Sequence, residues 1–554
     1  PGDVDRRVDG AGARVNRLPR WLVAALAIGP VAALGLFYLW PFATLLAEAL
    51  TGGAVGDTLT RSQTWDVVWF TFWQAVVSTV CTIVVGIVPA FVVARFEFSG
   101  RRLLIGLLTA TFVLPTVVMG AAFLALLPDS IDRTVWAVIG AHVAFNLAVV
   151  VRVVGSLWEH LPSDMEHAAA TLGASRRQTF TSISLPLVRP AITAAATIVF
   201  LFTFTSFGVI RVLGAPGTRT IEVEVWRRAT QLGDIGGAAV LTLLQLAVLA
   251  VLLVWSTTAQ RRHSRALALE STAPRRRPRT TAQRRFVAFS AGAAALVALV
   301  PLGALVAQSF STPTGWSTNA WTDLGRVEVR PGIRVGTDPV EAIANSLTIA
   351  AWATAFAVVV GALASLAITA ARRHGRLIDA GLMLPLGTSA VTIGLGMLIT
   401  FDVAPVDWRA SWWLVPVGHA LVAVPFVVRT CVGVLRSVDP AMTAAAATLG
   451  AGPARAWRAT VVPYLWRPLA AGGALAAAIS LGEFGATSFL SRSGSETMPI
   501  AIEQLLGRTG TTLRAQGYVL ATILAAVTIM LVVAVDTIQG IVDARVTDAR
   551  DHRE

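Results

Sequence analysis

One acidic residue stands within an apolar stretch where an ionised group is costly. Glu483 lies in the run "AAAISLGEFGATSFL", and a carboxylate near the centre of a membrane span costs about 2.5–3.5 kcal/mol on insertion scales. Such a residue indicates a pathway or gate that would favour a cationic substrate. The alternative is a carboxylate near the outer end of its span, reached by water and paired with an arginine such as Arg492. Ser206 holds the matching position in the other half of the chain, so a pathway lined by both residues would be asymmetric.

Histidine and cysteine are the other side chains that could bind a metal. His142 and His419 sit at matching places in two apolar stretches, which raises the hypothesis of a metal relay. Paired histidines that repeat through duplication are more typical of helix packing with one hydrogen bond. Cys81 and Cys431 both lie in apolar runs, where neither a disulfide framework nor a cysteine metal site is expected. We therefore predict no metal site and no cofactor.

The absence of lysine argues against ATP hydrolysis by this chain. All 45 positions counted as lysine or arginine are arginines, and the familiar phosphate-binding loop requires a lysine that reaches the phosphates. Any ATP hydrolysis must then occur on a separate subunit. The chain is predicted to have no catalytic residues and not to be an enzyme.

The composition of the chain indicates the class of protein in which these residues are positioned. The chain has 554 residues, of which 55% are hydrophobic and 14% charged, and its mean hydropathy is +0.68. A water-soluble chain carries about a quarter charged residues, so a soluble enzyme is excluded and a polytopic membrane protein is indicated. The net charge of +13 could suit a nucleic-acid partner, but the arginines follow a membrane topology.

Apolar runs of about 20 residues, long enough to cross a bilayer, occur twelve times. They cover about 21–42, 67–94, 103–127, 134–157, 191–210, 234–258, 286–308, 342–371, 377–401, 412–435, 469–490 and 515–539. Pro115 and Pro385 follow leucine midway through the third and ninth runs and predict kinks there. The predicted fold class is an all-α polytopic membrane protein with about twelve transmembrane helices.

Arginine placement predicts which side each loop faces. With a cytoplasmic N-terminus, the inner segments collect most arginines, and the outer loops hold few, such as Arg61, Arg133 and Arg409. Both termini are then cytoplasmic, the protein spans the cell membrane in contact with lipid, and its first span is an uncleaved helix. The arginine-rich stretch 261–285 could be a nucleic-acid or lipid-binding patch. Its two prolines and lack of apolar periodicity favour an inner linker, so no nucleic-acid partner is expected.

The linker divides the chain into two halves of six spans that match at a constant offset. Six spans return the chain to its starting side, so the halves share one orientation and are related by an axis along the membrane normal. The fold is thus predicted to be two tandem six-helix repeats. The predicted domains are a tail (1–20), a first repeat (21–258) with a loop at 161–190, a linker (259–285), a second repeat (286–539) with a loop at 438–468, and a tail (540–554).

The heptapeptide "AAATLGA" occurs at 168–174 and again at 445–451, on the predicted inner side of both halves. The first copy follows a helix start at Pro162 and Ser163 or Asp164, the second copy repeats this plan, and Gly173 or Gly450 can take the left-handed conformation that stops the helix. Ser175 can then cap a second short helix in the first copy. The pattern predicts a cytoplasmic helix-turn-helix with a smooth alanine face that a partner can approach closely.

At these residues the chain resembles the permease family of binding-protein-dependent ABC importers, whose signature loop reads Glu-Ala-Ala, three variable residues, Gly, and later an apolar-Leu-Pro. This sequence has His167 and Ala444 in place of the family's glutamate, and Glu166 is one position early. The resemblance implies that each loop is a coupling helix in a groove of a separate ATPase. The coupling residues that it implies are Glu166, Ala168, Ala169, Gly173, Arg176, Arg177, Ala445, Ala446, Gly450, Arg455 and Arg458.

The resemblance also implies partners and a mechanism. Two ABC ATPase subunits would dock on the cytoplasmic loops, and an extracytoplasmic binding protein would deliver the substrate. The double-length chain is similar to fused thiamine and ferric-iron permeases, and the run "GEFGATSFLSRSGSETMPIAIEQL" from Gly482 is most like the thiamine type. The expected function is passage of thiamine or ferric iron by alternating access, with Ser206 and Glu483 on the pathway.

Two rival classes would look different in the sequence. An ion-coupled secondary transporter should carry several acidic residues within its helices, yet Glu483 is nearly alone, with Asp402 at a helix end. A membrane-embedded transferase should carry a large polar loop on one face, and the loops here are short. Neither class accounts for the repeated cytoplasmic phrase.

Overall fold

The structure is a computed structural model in which most of the chain is helical. The residues that it describes are 18–161, 164–215, 217–263, 275–312, 315–325, 328–330, 333–334, 337–371, 374–402, 407–492, 494–508 and 510–551. Its long apolar helices confirm the predicted fold class, an all-α polytopic membrane protein.

The helices follow one another along the chain with short connections. The first half contains α1 (Arg20–Leu34), α2 (Trp40–Leu50), α3 (Ala54–Leu59), α4 (Ser62–Arg95), α5 (Arg101–Val113), α6 (Thr116–Leu126), α7 (Val135–Glu159), α8 (Asp164–Thr171), α9 (Arg176–Thr179), α10 (Leu185–Phe204), α11 (Gly208–Leu213), α12 (Ile221–Thr230) and α13 (Ile235–His263). Short π-helical turns at Gly35–Leu39 and Phe180–Ser184 join α1 to α2 and α9 to α10.

The second half repeats this order after a small β-structured insertion. It contains α14 (Thr281–Ser309), the hairpin β1 (Ser311–Thr312) and β2 (Gly315–Trp316), α15 (Asn319–Thr322), the hairpin β3 (Glu328–Arg330) and β4 (Ile333–Arg334), α16 (Pro339–Ala370), α17 (Gly375–Leu382), α18 (Ala390–Phe401), α19 (Leu414–Ser437), α20 (Pro440–Thr448), α21 (Pro453–Thr460), α22 (Trp466–Gly482), α23 (Thr487–Leu490), α24 (Met498–Gly507) and α25 (Thr511–Asp551). Turns of 3-10 helix cover Leu384–Gly387 and Val462–Tyr464.

The number of membrane-crossing helices is close to the prediction. Within the described ranges, nine helices are long and apolar enough to cross a membrane, or eleven if each of two bent pairs is one span. The predicted run 469–490 differs, because α22 ends at Gly482 after 17 residues. Glu483 takes an extended conformation, with ψ of 124°. The run is therefore a shorter helix followed by a turn and the separate helix α23.

Both predicted kinks are sharp breaks. The axes of α5 and α6 meet at 104°, and those of the segments Gly375–Gly387 and Ala390–Phe401 meet at 99°. Leu114, just before Pro115, is extended with ψ of 138°, as expected because a proline ring disfavours the helical conformation of the preceding residue. The proline thus separates two helices where the sequence analysis predicted one kinked helix.

The described chain forms two compact units. Unit one comprises Ala49–Val327 and Ala501–Ala525, and unit two comprises Pro1–Glu48, Glu328–Ile500 and Ala526–Glu554. The helix that opens each sequence repeat packs with the other repeat's helices: α14 packs on α5 and α6 in unit one, and α1 packs on α16 in unit two. The domain limits 21–258 and 286–539 follow the sequence repeats and stay predictions.

Both units contain the same close packing of two long helices. In unit one, a Cβ added to Gly86 of α4 would lie 2.7 Å from Cγ1 of Val150 on α7. In unit two, a Cβ added to Gly361 of α16 would lie 2.6 Å from Cγ1 of Val427 on α19. Glycine is needed at both places because no side chain fits between the helices. The third helix of each core is α10 in unit one and α22 in unit two.

Candidate functional site

The first copy of the repeated heptapeptide forms the predicted helix, turn and helix. Across Gly173, the amide of Ala174 donates a hydrogen bond of 3.0 Å to the carbonyl of Ala169. Gly173 itself has a φ of +81°. Glycine adopts this left-handed conformation readily, and it commonly ends helices. The amide of Gln178 donates to Ser175 Oγ and the Ser175 amide donates to Gln178 Oε1, at 3.3 and 2.9 Å. This reciprocal cap confirms that Ser175 starts the second helix.

The second copy repeats the geometry with a different first cap. The carboxylate of Asp439 accepts the amide of Ala441 at 2.8 Å and begins α20. Gly450 has a φ of +85°, and the amide of Ala451 donates to the carbonyl of Ala446 at 3.1 Å. Both loops therefore present the same rigid turn.

The predicted coupling residues lie mainly on the surface of these loops. The exposed ones are Ala168, Gly173, Arg177, Ala445, Gly450, Arg455 and Arg458, while Ala169 and Ala446 are half-buried. The side chains of Glu166 and Arg176 lie outside the part of the chain that the structure describes, as do Pro162 and Ser163 at the predicted helix start.

The two most exposed leucines of the loops were not among the predicted coupling residues. Leu172 is 87% exposed and Leu449 is 89% exposed, each one residue before its turn glycine. The signal that could have found them is a large apolar residue at the same position of both copies of "AAATLGA". A single exposed leucine is common on protein surfaces, so the observation of interest is that it recurs at the same position in both loops.

An ion pair supports the base of each loop, with its charges reversed between the halves. In unit one, Glu159 at the end of α7 pairs with Arg101 at 3.7 Å and also with Arg275. In unit two, Asp379 pairs with Arg436 near the end of α19 at 3.7 Å and with Arg429 of the same helix at 3.5 Å. Glu159 and Arg436 occupy matching positions of the repeats. Both pairs tie the last turn before the loop to the short helix that follows the preceding span.

His142 is fixed by hydrogen bonds at both ring nitrogens. Ser78 Oγ lies 3.1 Å from Nδ1, and Ser206 Oγ lies 2.8 Å from Nε2. All three side chains are buried in unit one. The cluster joins α4, α7 and the residues just after α10, and it places the predicted pathway residue Ser206 against the histidine.

His419 has a matching cluster in unit two that includes an acid. Its Nδ1 lies 2.8 Å from Ser480 Oγ, and its Nε2 lies 2.7 Å from Thr487 Oγ1 and 3.3 Å from Glu483 Oε2. The Glu483 carboxylate also accepts the amides of Ala486 and Thr487, at 2.9 and 3.0 Å, and the Thr487 hydroxyl at 2.7 Å. Glu483 therefore caps the start of α23.

The two clusters show which partners these residues have in the folded chain. Glu483 is 6% exposed, and its described partners are those of the His419 cluster and not Arg492. Each histidine binds serine or threonine hydroxyls from two other segments, which corresponds to the packing interpretation with two partners per ring instead of one. Among the described residues, no group of three or more histidine, cysteine or acidic side chains could hold a metal ion.

A second charged cluster lies outside the spans, on α12. Glu224 is nearly buried, and its carboxylate accepts hydrogen bonds from Arg219, Arg227 and Arg228 at 3.2, 2.9 and 3.2 Å. Burial acts to raise the pKa of Glu224, but the three guanidinium groups outweigh it and hold that pKa below its ordinary value of 4.5. Arg228 extends the cluster to Asp234 at 3.5 Å.

Known proteins resemble the chain over most of its length. Thiamine transport system permease protein ThiP of Brucella abortus (strain 2308) is 28% identical over 523 residues, which is 88% of this chain and 92% of the relative. ThiP of Escherichia coli (strain K12) is 25% identical over 509 residues, 86% of this chain and 90% of the relative. A putative 2-aminoethylphosphonate transport system permease protein, PhnV of Salmonella typhimurium, is 29% identical over 202 residues, 36% of this chain and 74% of the relative.

A family profile matches the chain twice, once in each half. The matched residues are 82–266 and 357–548, and each match contains one copy of the heptapeptide with its glycine turn. Together the matches cover more than half of the chain, and they agree with the repeated helix order and the paired helix-turn-helix loops. The chain therefore belongs to the binding-protein-dependent transport system inner membrane component family, the permeases of ABC importers, and carries the family's domain in duplicate.

Proposed function

We propose that this chain is the transmembrane subunit of an importer that passes thiamine into the cytoplasm. The observation that supports this proposal is the similarity to thiamine permeases along nearly the whole double-length chain. The 2-aminoethylphosphonate relative is similar over only 36% of the chain. None of the relatives named above is a ferric-iron permease, so iron is no longer proposed.

Energy would reach the permease through its two cytoplasmic loops. Each loop offers an exposed leucine, Leu172 or Leu449, beside a glycine turn that fixes its direction. Two separate ABC ATPase subunits would each bind one loop, and an extracytoplasmic binding protein would deliver the substrate. Closure of the ATPase pair would switch the permease between outward-open and inward-open forms. This arrangement requires a location in the cell membrane with both termini in the cytoplasm.

Ser206 and Glu483 are the residues that we propose for the substrate pathway. Their support is that they occupy matching positions and bond to matching histidines, His142 and His419. Because Glu483 is buried and bonded to two backbone amides, we propose that it acts by holding the turn before α23 in place. Because this position is serine in one half and glutamate in the other, the turn would then differ in stability between the two halves.

Uptake of labelled thiamine by a strain that lacks its own thiamine permease tests the proposed function. Expression of this chain with its ATPase and binding protein should restore uptake. The double variant Leu172→Ala/Leu449→Ala should reach the membrane but lose most uptake, while Leu232→Ala, an exposed leucine between α12 and α13, is the matched control. Uptake of 2-aminoethylphosphonate instead of thiamine would overturn the substrate. Thiamine uptake without any ATPase would favour the ion-coupled secondary transporter.

A further inference from the structure

A groove of about 470 Å³ lies on unit one between α5 and α14. This volume is within the range of about 300–1,000 Å³ that is usual for small-molecule sites. Leucines of α5 form one wall, and small residues of α14 form the other. The lining residues include Leu103, Leu104, Leu107, Ala288, Ala291 and Gly292. The groove exists because the small residues of α14 leave space beside the leucines of α5.

The end of the arginine-rich linker closes one end of this groove. The Arg276 amide donates to the Arg95 carbonyl at 2.9 Å, and the Glu97 amide donates to the Arg276 carbonyl at 3.1 Å. These bonds hold the linker against the turn between α4 and α5, so that Pro278 lines the groove together with Phe98. The closed end therefore coincides with the ends of two spans, where a bilayer meets water.

Positive charge collects at this closed end. Arg284 lines the groove, and Arg102 lies beside Leu103 on the opposite wall with an exposed side chain. Within the described ranges, neither arginine forms an ion pair with a carboxylate. An apolar groove in two spans that ends at two uncompensated arginines is complementary to a molecule with one long apolar part and an anionic head.

We propose that the groove binds one acyl chain of an anionic glycerophospholipid, whose phosphate contacts Arg284 and Arg102. A lipid is the occupant because both walls belong to helices that we place in the bilayer, where acyl chains surround them. The negative headgroup follows from the two arginines. In the proposed orientation this site lies in the cytoplasmic leaflet and fastens the linker end to α5. The inference does not depend on the identity of the transported substrate.

A photoactivatable phosphatidylglycerol with a diazirine on its acyl chain tests the apolar part of the site. The full-length permease is reconstituted in phosphatidylcholine vesicles containing this probe, and labelling of α5 and α14 is measured by mass spectrometry. Gly292→Leu should abolish labelling of both helices because it fills the groove. Gly303→Leu is the matched control: both glycines lie on α14 with open space around them, and Gly303 does not line the groove. Equal labelling of the two variants would overturn the proposal.

The charged part of the site is tested with two substitutions that leave the leucines, alanines and glycine of the groove unchanged. Arg284→Gln and Arg102→Gln should each weaken phosphatidylglycerol labelling about fivefold, and Arg285→Gln, which changes the next residue of α14, should not. The same diazirine on phosphatidylcholine should label weakly and should not respond to these substitutions. Equal labelling by the two lipids would overturn the anionic headgroup. If the unsubstituted permease failed to take up thiamine but the lipid labelling followed the pattern above, only the proposed function would be contradicted.

Discussion

At the residue scale, the turn glycines of the two proposed coupling loops are required by backbone conformation and not by crowding. Gly173 and Gly450 have φ angles of +81° and +85°, and a Cβ at either position would meet no atom within 4 Å. A left-handed conformation costs an ordinary residue roughly 1–2 kcal/mol, and asparagine tolerates it better than a β-branched residue does. The two types of substitution therefore separate conformation from volume.

Gly173→Val and Gly450→Val should each reach the membrane but reduce thiamine uptake about tenfold, because valine disfavours the turn that directs the neighbouring leucine. Gly173→Asn and Gly450→Asn should retain most uptake. The measurements are transport in vesicles and co-purification of the ATPase. Equal uptake by the valine and asparagine variants would show that the turn conformation does not matter for coupling.

Glu483 contributes a second prediction at this scale, through its bonds to α23. Glutamine can keep one acceptor for the amides of Ala486 and Thr487, but it loses the charge that strengthens both bonds. Glu483→Gln should lower the free energy of unfolding by roughly 1–3 kcal/mol. Ser206→Ala at the matching position should cost less, since it removes one hydroxyl contact with His142. Thermal unfolding of the two purified variants measures both changes in stability. An equal loss of stability in the two variants would contradict the capping role of Glu483.

At the scale of elements, one ion pair at the base of each loop joins the same two elements in both halves, although the signs of the charges are reversed. Arg436 is largely exposed, and such pairs contribute only about 0–1 kcal/mol to stability. Arg436→Glu should therefore leave thermal unfolding nearly unchanged but reduce uptake severalfold by displacing the end of α19. The double variant Asp379→Arg/Arg436→Glu should recover part of that uptake. No recovery in the double variant would argue against the ion pair as a support of the loop.

The cluster on α12 predicts a pH dependence. Because the pKa of Glu224 is lower in the folded protein than its ordinary value of 4.5, its stabilising effect is complete above that value and is lost as pH falls through the lowered pKa. Glu224→Gln should cost roughly 3 kcal/mol at neutral pH, and this difference should shrink below pH 4.5. Unfolding midpoints of both proteins between pH 3 and 7 test this prediction. A constant difference would show that the carboxylate charge is not the cause.

At the scale of the whole molecule, the orientation in the membrane is the main prediction that rests on charge. In a background with Cys81→Ser and Cys431→Ala, the variant Trp316→Cys should react with an impermeant thiol reagent added outside. The variant Arg279→Cys should react only after permeabilisation, because the linker is predicted to be cytoplasmic. Both positions are exposed, so access and not burial decides the labelling. Labelling of Arg279→Cys from outside would reverse the orientation.

The sequence by itself determined the features of this protein that depend on local composition and on duplication. Apolar runs long enough for a bilayer predicted the helices. Pro115 predicted a kink, because its effect is limited to adjacent residues, and the structure has a full break there. Gly173 and Gly450 were found because the same helix stop was present twice. The family resemblance rested on these local signals, and the profile matches confirmed it.

The tertiary structure decided everything that depends on contacts between distant residues. The partners of His419 lie 61 to 68 residues away along the chain, and no local pattern indicates them. The end of α22 at Gly482, just before Glu483, was missed because a carboxylate that bonds to the next helix start cannot be distinguished by composition from one inside a span. The grouping of α1 with α16 and of α14 with α5 also lay beyond the sequence repeats. Packing of complementary helix surfaces, and not chain order, decides which helices share a core.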